Sequence, residues 1–220
     1  MKEPFWERPE VVEQFASRAP DHRLVRLLDE YSEPSAIRVL DLGCAGGRNA
    51  VLLADRGFDV WAVDASAPMV ERTRDRVAAV LGSDRARERI QHARMDDLSS
   101  FGAGSFDLVV ALGVFHSAES MAEWELAVAE TARVLKRGGK ALVNHFTPEV
   151  DLTGDGVRPV PGQPGVYEGL SDGPGVLLEA DALDAAMARH GLLPIVPSET
   201  VRVPTEHGIR VSVNALYVGG

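Results

Sequence analysis

Cysteine is nearly absent from this sequence of 220 residues. Cys44 is the only one, so no disulfide can form within the chain, and the scarcity of cysteine fits a reducing compartment. A chain of this length buries roughly 70 % of its extended surface on folding, so a hydrophobic core suffices for stability. Because no cluster of histidine, cysteine and glutamate has the spacing of metal ligands, we also expect no metal site.

Long apolar runs and basic residues are scarce as well. No run approaches the roughly 18 apolar residues of a membrane helix, and residues 1–7, MKEPFWE, lack the apolar segment of a signal peptide. We therefore expect a cytoplasmic protein without a membrane partner. Lysine and arginine number 23 against 33 acidic residues, a net charge of −10. Since nucleic-acid binders neutralise phosphates with basic side chains, this charge argues against a nucleic-acid partner.

A glycine-rich turn after an apolar run is the most informative segment present. Residues 39–49 read VLDLGCAGGRN, and a second apolar run, residues 60–64, ends in an acid twenty-three positions after Asp41. Such a turn is typical of a buried strand that leads into a helix whose free N–H groups face a ligand. Asp64 has the spacing at which a carboxylate accepts hydrogen bonds from both ribose hydroxyls. The pair predicts a site for a nucleoside-containing cofactor.

The spacing within the turn distinguishes between cofactors. A dinucleotide fingerprint needs glycine at positions 43, 45 and 48, and this chain has Ala45 and Arg48 at two of them. The turn instead resembles motif I of the class I S-adenosylmethionine-dependent methyltransferases, D-x-G-x-G-x-G, with Asp41, Gly43 and Gly47 matching. At the middle glycine of that motif, the methyl group of Ala45 requires a negative φ, which we therefore expect.

The resemblance implies both a cofactor and a set of contacts. The motif is most similar to a subgroup of small-molecule and tellurite-resistance-like methyltransferases, so S-adenosylmethionine is the implied cofactor and S-adenosylhomocysteine its product. By that resemblance the backbone of residues 43–47 cradles the methionine and ribose, and Asp64 binds the ribose hydroxyls. The cofactor-binding residues expected are Arg18, Asp41, Gly43, Cys44, Ala45, Gly47, Arg48, Asn49, Asp64, Ala65, Met69, Met95, Asp96 and Leu112.

Adenine recognition departs from the family pattern. The family often has Gly-Asp-Met-x-x-Leu after the third strand, with the acid on the adenine amine, whereas residues 93–98 here read ARMDDL. Arg94 stands in the place of the acid. Either Asp96 reaches the amine, or a backbone carbonyl near Met95 binds it alone.

Apolar strands and amphipathic helices alternate along the chain, which predicts a doubly wound α/β sheet with its ligands at the carboxyl ends of the strands. The resemblance implies the Rossmann-like methyltransferase fold, with seven mostly parallel strands and an antiparallel last strand beside the fifth. We expect a single domain, 1–220. Its parts are a helical cap (1–34), a cofactor-binding core (35–146), a Gly/Pro-rich lid without regular structure (147–177), and a C-terminal helix and hairpin (178–220).

Several polar and aromatic residues are candidates for the acceptor side. His116 and His145 follow adjacent strands and could each remove a proton from an acceptor, or could only line the pocket or pack a loop. Arg18 could bind the methionine carboxylate or form a surface salt bridge. The candidates for acceptor contacts are Trp6, His22, Tyr167 and Glu168.

The predicted function is methyl transfer from S-adenosylmethionine to a small-molecule acceptor at O, N, S or a metalloid. Two alternatives stay open, which are methylation of a macromolecule and a non-catalytic module that binds the cofactor. The acceptor and the use of a base are not specified by these motifs, since acceptor contacts come from the cap, lid and hairpin. We expect a monomer or a homodimer.

Overall fold

The computed structural model describes residues 4–170 and 173–220. Its strands are β1 Arg38–Leu42, β2 Asp59–Asp64, β3 Ile90–His92, β4 Phe106–Leu112, β5 Leu135–Phe146, β6 Arg158–Pro159, β7 Val166–Glu168, β8 Gly175–Val176, β9 Leu192–Pro194, β10 Glu199–Pro204 and β11 Ile209–Gly219. Its α-helices are α1 Pro9–Ala16, α2 His22–Leu28, α3 Arg48–Asp55, α4 Ala67–Leu81, α5 Ser83–Arg89, α6 Met121–Val134 and α7 Ala180–Arg189. Short 3-10 turns cover Phe5–Glu7, Pro34–Ala36 and Phe115–Ser117.

One mixed sheet organises the molecule. Its strand order is β10-β11-β5-β4-β1-β2-β3, and β9 pairs with the far end of β11. Strands β1 to β5 run parallel, whereas β11 is antiparallel to both β5 and β10. The predicted fold, with the last strand antiparallel and beside the fifth, is confirmed.

Helices bury both faces of the sheet. On one face α6 and α7 pack Trp124, Val128 and Met187 against the strands. On the other, α2, α3 and α4 contribute the side chains Leu24, Leu53 and Val77. Such two-sided burial explains why the central strands are continuous apolar runs.

Local signals set most of the helix boundaries. The Oγ of Ser66 accepts a hydrogen bond from the backbone N–H of Met69 (3.4 Å), and Ser120 caps α6 in the same way. The apolar spacing of residues 67–81 predicts one helix, and α4 spans these residues. The apolar run of residues 140–146 predicts a strand, but β5 begins earlier, at Leu135, because Phe106 pairs with Leu135 whereas Leu108 pairs with Lys140. Residues 136–139 bulge from the ladder between these two pairs.

The expectation that residues 147–177 lack regular structure was wrong. Strands β6, β7 and β8 form a small antiparallel sheet, and Asp151 bridges to Ile209 of β11. These strands are two or three residues long between Gly- and Pro-containing turns, too short to show an alternating pattern in the sequence. Ser171 and Asp172 of this segment lie outside the described residues.

Candidate functional site

A cavity of about 400 Å³ opens at the carboxyl ends of β1, β2 and β4. Its wall contains most of the residues that the sequence predicts for cofactor binding, which are Gly43, Cys44, Ala45, Arg48, Asn49, Asp64, Ala65, Met69, Met95, Asp96 and Leu112. Asp41, Gly47 and Arg18 are not part of this wall as far as residues 4–170 and 173–220 describe it. The topology therefore collects residues from four separate stretches of the sequence at one edge of the sheet.

The turn after β1 is built from left-handed residues. Gly43, Ala45 and Gly47 have φ values of 71°, 47° and 81°, so the expected negative φ at Ala45 was wrong. The N–H of Ala45 donates to Asp64 Oδ2 (2.8 Å), and its carbonyl accepts from Thr73 Oγ1 (2.6 Å). These two bonds hold the peptide in a conformation that costs an alanine about 1–2 kcal/mol. The strain is compensated by contacts from β2 and α4.

Two close approaches explain glycines in and beside the turn. A Cβ at Gly46 would lie 2.6 Å from the backbone N and Cα of Ala16, so the end of α1 rests directly on the turn. A Cβ at Gly43 would lie 2.6 Å from Cγ2 of Val114, which follows β4. The sequence did not identify Gly46, because its need for glycine depends on a helix thirty positions earlier in the chain.

Asp64 is partly buried in the wall. Its Oδ2 accepts from Ala45 N–H and its Oδ1 from Ser66 N–H, at 2.8 and 2.9 Å. Burial raises the pKa of this carboxyl, and the backbone hydrogen bonds oppose that shift. Each oxygen keeps lone-pair capacity for a further donor in the cavity.

Asp41 and Gly47 lie behind the wall. Burial raises the pKa of Asp41 to about 7, and within the described part of the chain its Oδ2 has no hydrogen-bond partner. A Cβ at Gly47 would lie 2.9 Å from the side chain of Thr73 on α4. Both residues therefore support the turn from beneath.

An ionic group lies on the opposite wall. Arg94 donates from Nε to Asp96 Oδ1 (2.9 Å) and from Nη2 to Glu123 Oε1 (2.6 Å). Glu123 also accepts from the backbone N–H of Glu119, and all four residues line the cavity. The sequence identified Arg94 only as a departure from the family pattern, and it missed Glu123 because α6 contributes this glutamate from a distant position. Asp96 Oδ2 stays open to the cavity side as an acceptor.

The cap covers the cavity with aromatic side chains. Trp6 stacks edge-on with Phe5 and Phe15 at centroid distances of 4.9 and 5.0 Å, and all three line the wall. The backbone carbonyl of Trp6 accepts from Ser66 Oγ (2.9 Å), which ties the cap to the start of α4.

Arg18 lies over the Phe15 ring, 3.8 Å from its centroid, and is not on the described wall, whereas Arg48 is. The surface salt bridge considered for Arg18 is likewise not formed with any described residue.

His22 begins α2 and is exposed; Tyr167 and Glu168 lie in β7. In the described part of the chain none of these three lines the cavity, and from the lid segment Gly173 and Pro174 do so instead.

His116 and His145 are neighbours, with ring centroids 6.3 Å apart, but both are buried. Trp124 Nε1–H donates to His145 Nε2 (2.9 Å), so His145 Nδ1 carries the proton and donates it to the carbonyl of Phe146 (2.8 Å). Burial lowers the pKa of His145 to about 4, and burial together with His145 lowers that of His116 to about 3. His116 packs on the Phe146 ring, and its Nδ1 is buried without a partner among the described residues.

The expectation that both rings face the acceptor is therefore not met, since neither belongs to the described wall. The alternative that the sequence left open, loop packing, agrees with this geometry.

Residues 40–143 match a family described as "Methyltransferase domain". The matched segment begins in β1 and ends in β5, and so it contains the turn, Asp64 and the ionic group on the opposite wall. Over residues 40–143 the chain resembles the S-adenosylmethionine-dependent methyltransferases. The resemblance to class I S-adenosylmethionine-dependent methyltransferases, predicted from the glycine-rich turn, is thereby confirmed. The small-molecule, tellurite-resistance-like subgroup stays a prediction.

Curated relatives share this methyltransferase domain. The chain is 30% identical over 112 residues to a ubiquinone biosynthesis O-methyltransferase of Xanthomonas axonopodis pv. citri, covering 51% of this chain and 44% of the relative. It is 33% identical over 115 residues to the uncharacterized methyltransferase YcgJ of Bacillus subtilis, covering 51% and 42%. The chain thus spans less than half the length of these relatives.

A solved structure agrees in fold over the whole chain. The CcbJ methyltransferase of Streptomyces caelestis superposes with a TM-score of 0.66 at 19% identity, covering 100% of both chains.

Two other kinds of site are absent from the residues that the structure describes. No helix among them combines the length and apolar character needed to cross a membrane. Nor does any group of three or more histidine, cysteine, aspartate and glutamate side chains there come together to hold a metal ion.

Proposed function

We propose that this protein transfers a methyl group from S-adenosylmethionine to a small-molecule acceptor. The observation that carries the proposal is the pairing of Asp64 with the left-handed turn at the mouth of the cavity, inside the matched methyltransferase domain. The small-molecule part is supported by the acidic net charge of the chain and by a relative named as a ubiquinone biosynthesis O-methyltransferase.

The residues of the wall fit the cofactor. Asp64 has a lone pair left on each oxygen, so it can accept from both ribose hydroxyls while keeping its bonds to Ala45 and Ser66. Arg48 lines the cavity and can bind the methionine carboxylate, a role that its position supports better than that of Arg18. Asp96 Oδ2 and the backbone at Met95 are the two candidates for the adenine amine.

When bound, S-adenosylmethionine supplies a methyl group on a sulfonium, and the acceptor's lone pair attacks it in line as the carbon–sulfur bond breaks and S-adenosylhomocysteine forms. The contribution of the protein is alignment and exclusion of water. Trp6 and Phe15 serve the second task, because their rings form an apolar roof on the cavity.

The two buried histidines act as packing residues in this proposal rather than as bases. Both ring nitrogens of His145 are already engaged, and the low pKa values of both histidines make them poor proton acceptors near neutral pH.

Calorimetry with S-adenosylhomocysteine tests cofactor binding, which a methyltransferase and a non-catalytic binding module both require. We expect the protein to bind it and Asp64→Asn to weaken binding at least tenfold, because one acceptor oxygen is replaced by an NH2 donor and the other loses its charge. Asp75→Asn, an exposed acid on α4, is the matched control and should bind as the parent protein does.

Incubation with methyl-labelled S-adenosylmethionine and metabolite pools then separates catalysis from binding alone. No measurable cofactor binding by the intact protein would reject the proposal. Cofactor binding without label transfer to any small molecule in the pools would leave only a binding module.

A further inference from the structure

Three arginines gather at the mouth of the cavity on the side of the cap. Arg48 begins α3 and lines the wall. Its Nη1 donates to the carbonyl of Ala19 (3.4 Å), the residue after Arg18. Arg18 lies over the ring of Phe15, which itself lines the cavity. The first two arginines therefore border the same opening.

The register of β11 places Arg210 at the same edge. Ser212 pairs with Phe146, the last residue of β5, so Arg210 lies two residues beyond the carboxyl end of that strand. Arg210 shares its face of β11 with Ser212 and Asn214, since side chains alternate along a strand. Asn214 accepts a hydrogen bond from Arg23 of α2, so this face is the one that α2 and the cap cover.

No carboxylate neutralises this group within the described residues. Arg18, Arg48 and Arg210 form no ion pair there, although acids outnumber bases 33 to 23 in the chain. Asp21, close to Arg48, has both oxygens engaged by Arg23, at 2.9 and 2.6 Å. Burial lowers the pKa of the Arg18 guanidinium, and the charges of Arg48 and Arg210 lower it further. The charge of Arg48 also acts on the buried Asp41, but Arg18 and Arg210 form no ion pair with a described residue, and their charges favour an anion bound beside the cavity.

We propose that Arg18 and Arg210, beside Arg48, bind the carboxylate or phosphate oxygens of an anionic acceptor, so the substrate class of this methyltransferase is an oxyanion-bearing small molecule. This inference rests on the proposed function. Guanidinium groups suit this ligand because their planar donors match carboxylate and phosphate oxygens. The cofactor brings a single carboxylate, which Arg48 on the wall is placed to bind. Arg18 and Arg210, outside the described wall, are then left for the acceptor.

The experiment compares charged and uncharged probes on the protein saturated with S-adenosylhomocysteine. Benzoate and phenyl phosphate are the anionic probes, and benzamide is the neutral one. We expect at least one anion to bind and benzamide not to. Arg18→Gln and Arg210→Gln should each weaken the anion about tenfold and leave S-adenosylhomocysteine binding unchanged.

Arg202→Gln is the matched control, because Arg202 lies on the opposite face of the neighbouring strand and pairs with Glu149. It should bind the probes as the parent protein does.

A further comparison distinguishes an anionic acceptor from the cofactor's carboxylate as the group that these arginines bind. 5′-Methylthioadenosine lacks the amino-acid part of S-adenosylhomocysteine. If Arg18→Gln and Arg210→Gln weaken S-adenosylhomocysteine but not 5′-methylthioadenosine, the arginines bind the cofactor carboxylate and the inference is overturned.

Equal binding of benzamide and the anions, or no binding of either anion, also overturns it. Failure of the intact protein to bind S-adenosylhomocysteine would instead reject the proposed function itself.

Discussion

Replacing Gly46 by alanine tests how the cap is seated on the cofactor turn. The new Cβ would meet the N and Cα of Ala16 at 2.6 Å and its Cβ at 2.7 Å. Since two of these atoms are backbone, no rotamer change can relieve the overlap, and the end of α1 must move away by close to 1 Å to reach ordinary contact. Overpacking of this kind costs about 1–3 kcal/mol, and the lower chain entropy of alanine returns up to about 1 kcal/mol.

We therefore expect Gly46→Ala to lose about 1–2 kcal/mol of stability, which lowers Tm by about 2–8 °C in a chain of this size. Because α1 carries Phe15 to the roof of the cavity, S-adenosylhomocysteine affinity should fall about tenfold, which corresponds to about 1.4 kcal/mol. Hydrogen exchange of the backbone amides in residues 9–16 should quicken. Thermal unfolding, calorimetry and exchange mass spectrometry measure the three effects.

Gly102→Ala is the matched control for this prediction. Gly102 has no positive φ, and its added Cβ would meet only Ser105 Oγ, at 3.6 Å, among described atoms. This variant should match the parent protein in all three measurements. If Gly46→Ala also bound S-adenosylhomocysteine normally with unchanged exchange in α1, the close approach would not exist in solution.

Three further predictions concern strain, titration and a buried hydrogen bond. Ala45→Gly should keep the free energy of unfolding, measured by urea denaturation, within about 1 kcal/mol of that of the parent protein, because relief of the left-handed alanine offsets the chain entropy of glycine. Ala45→Val should be clearly less stable. The pKa of Asp41 rises from 3.8 to about 7 on folding, so stability should fall as pH rises through that window, and Asp41→Asn should flatten the dependence; an unchanged slope would contradict the raised pKa. Trp124→Phe leaves His145 Nε2 unpaired and should cost about 1–3 kcal/mol in chemical denaturation. The control Trp61→Phe removes an indole N–H that has no partner among the described residues, so the two variants should differ; equal losses would mean that the Trp124 bond adds nothing.

The sequence predicted those parts of the fold and site that depend on local patterns. Helix α4 has its capping serine, its apolar spacing and a glycine after its end, and its predicted span agrees with the structure. Asp64 could be predicted because its spacing from the turn follows from one strand–helix–strand unit.

Features that depend on distant segments could not be predicted. The left-handed Ala45 is held by Asp64 and Thr73, and the requirement for glycine at position 46 comes from Ala16. The orientation of His145 follows from Trp124 on another element. Its position at a strand end predicted that this histidine faces the cavity, but the direction of its side chain depends on packing across the sheet.

The hydrogen bond between Trp6 and Ser66 has a consequence for turnover. The roof segment Phe5–Glu7 is joined to the start of α4 by this bond and to α1 by ring contacts. A few such weak contacts can open and close within microseconds to milliseconds, a timescale on which gates over enzyme sites move. A ligand that leaves the cavity past this roof therefore requires only these contacts to break, and the sheet can stay unchanged.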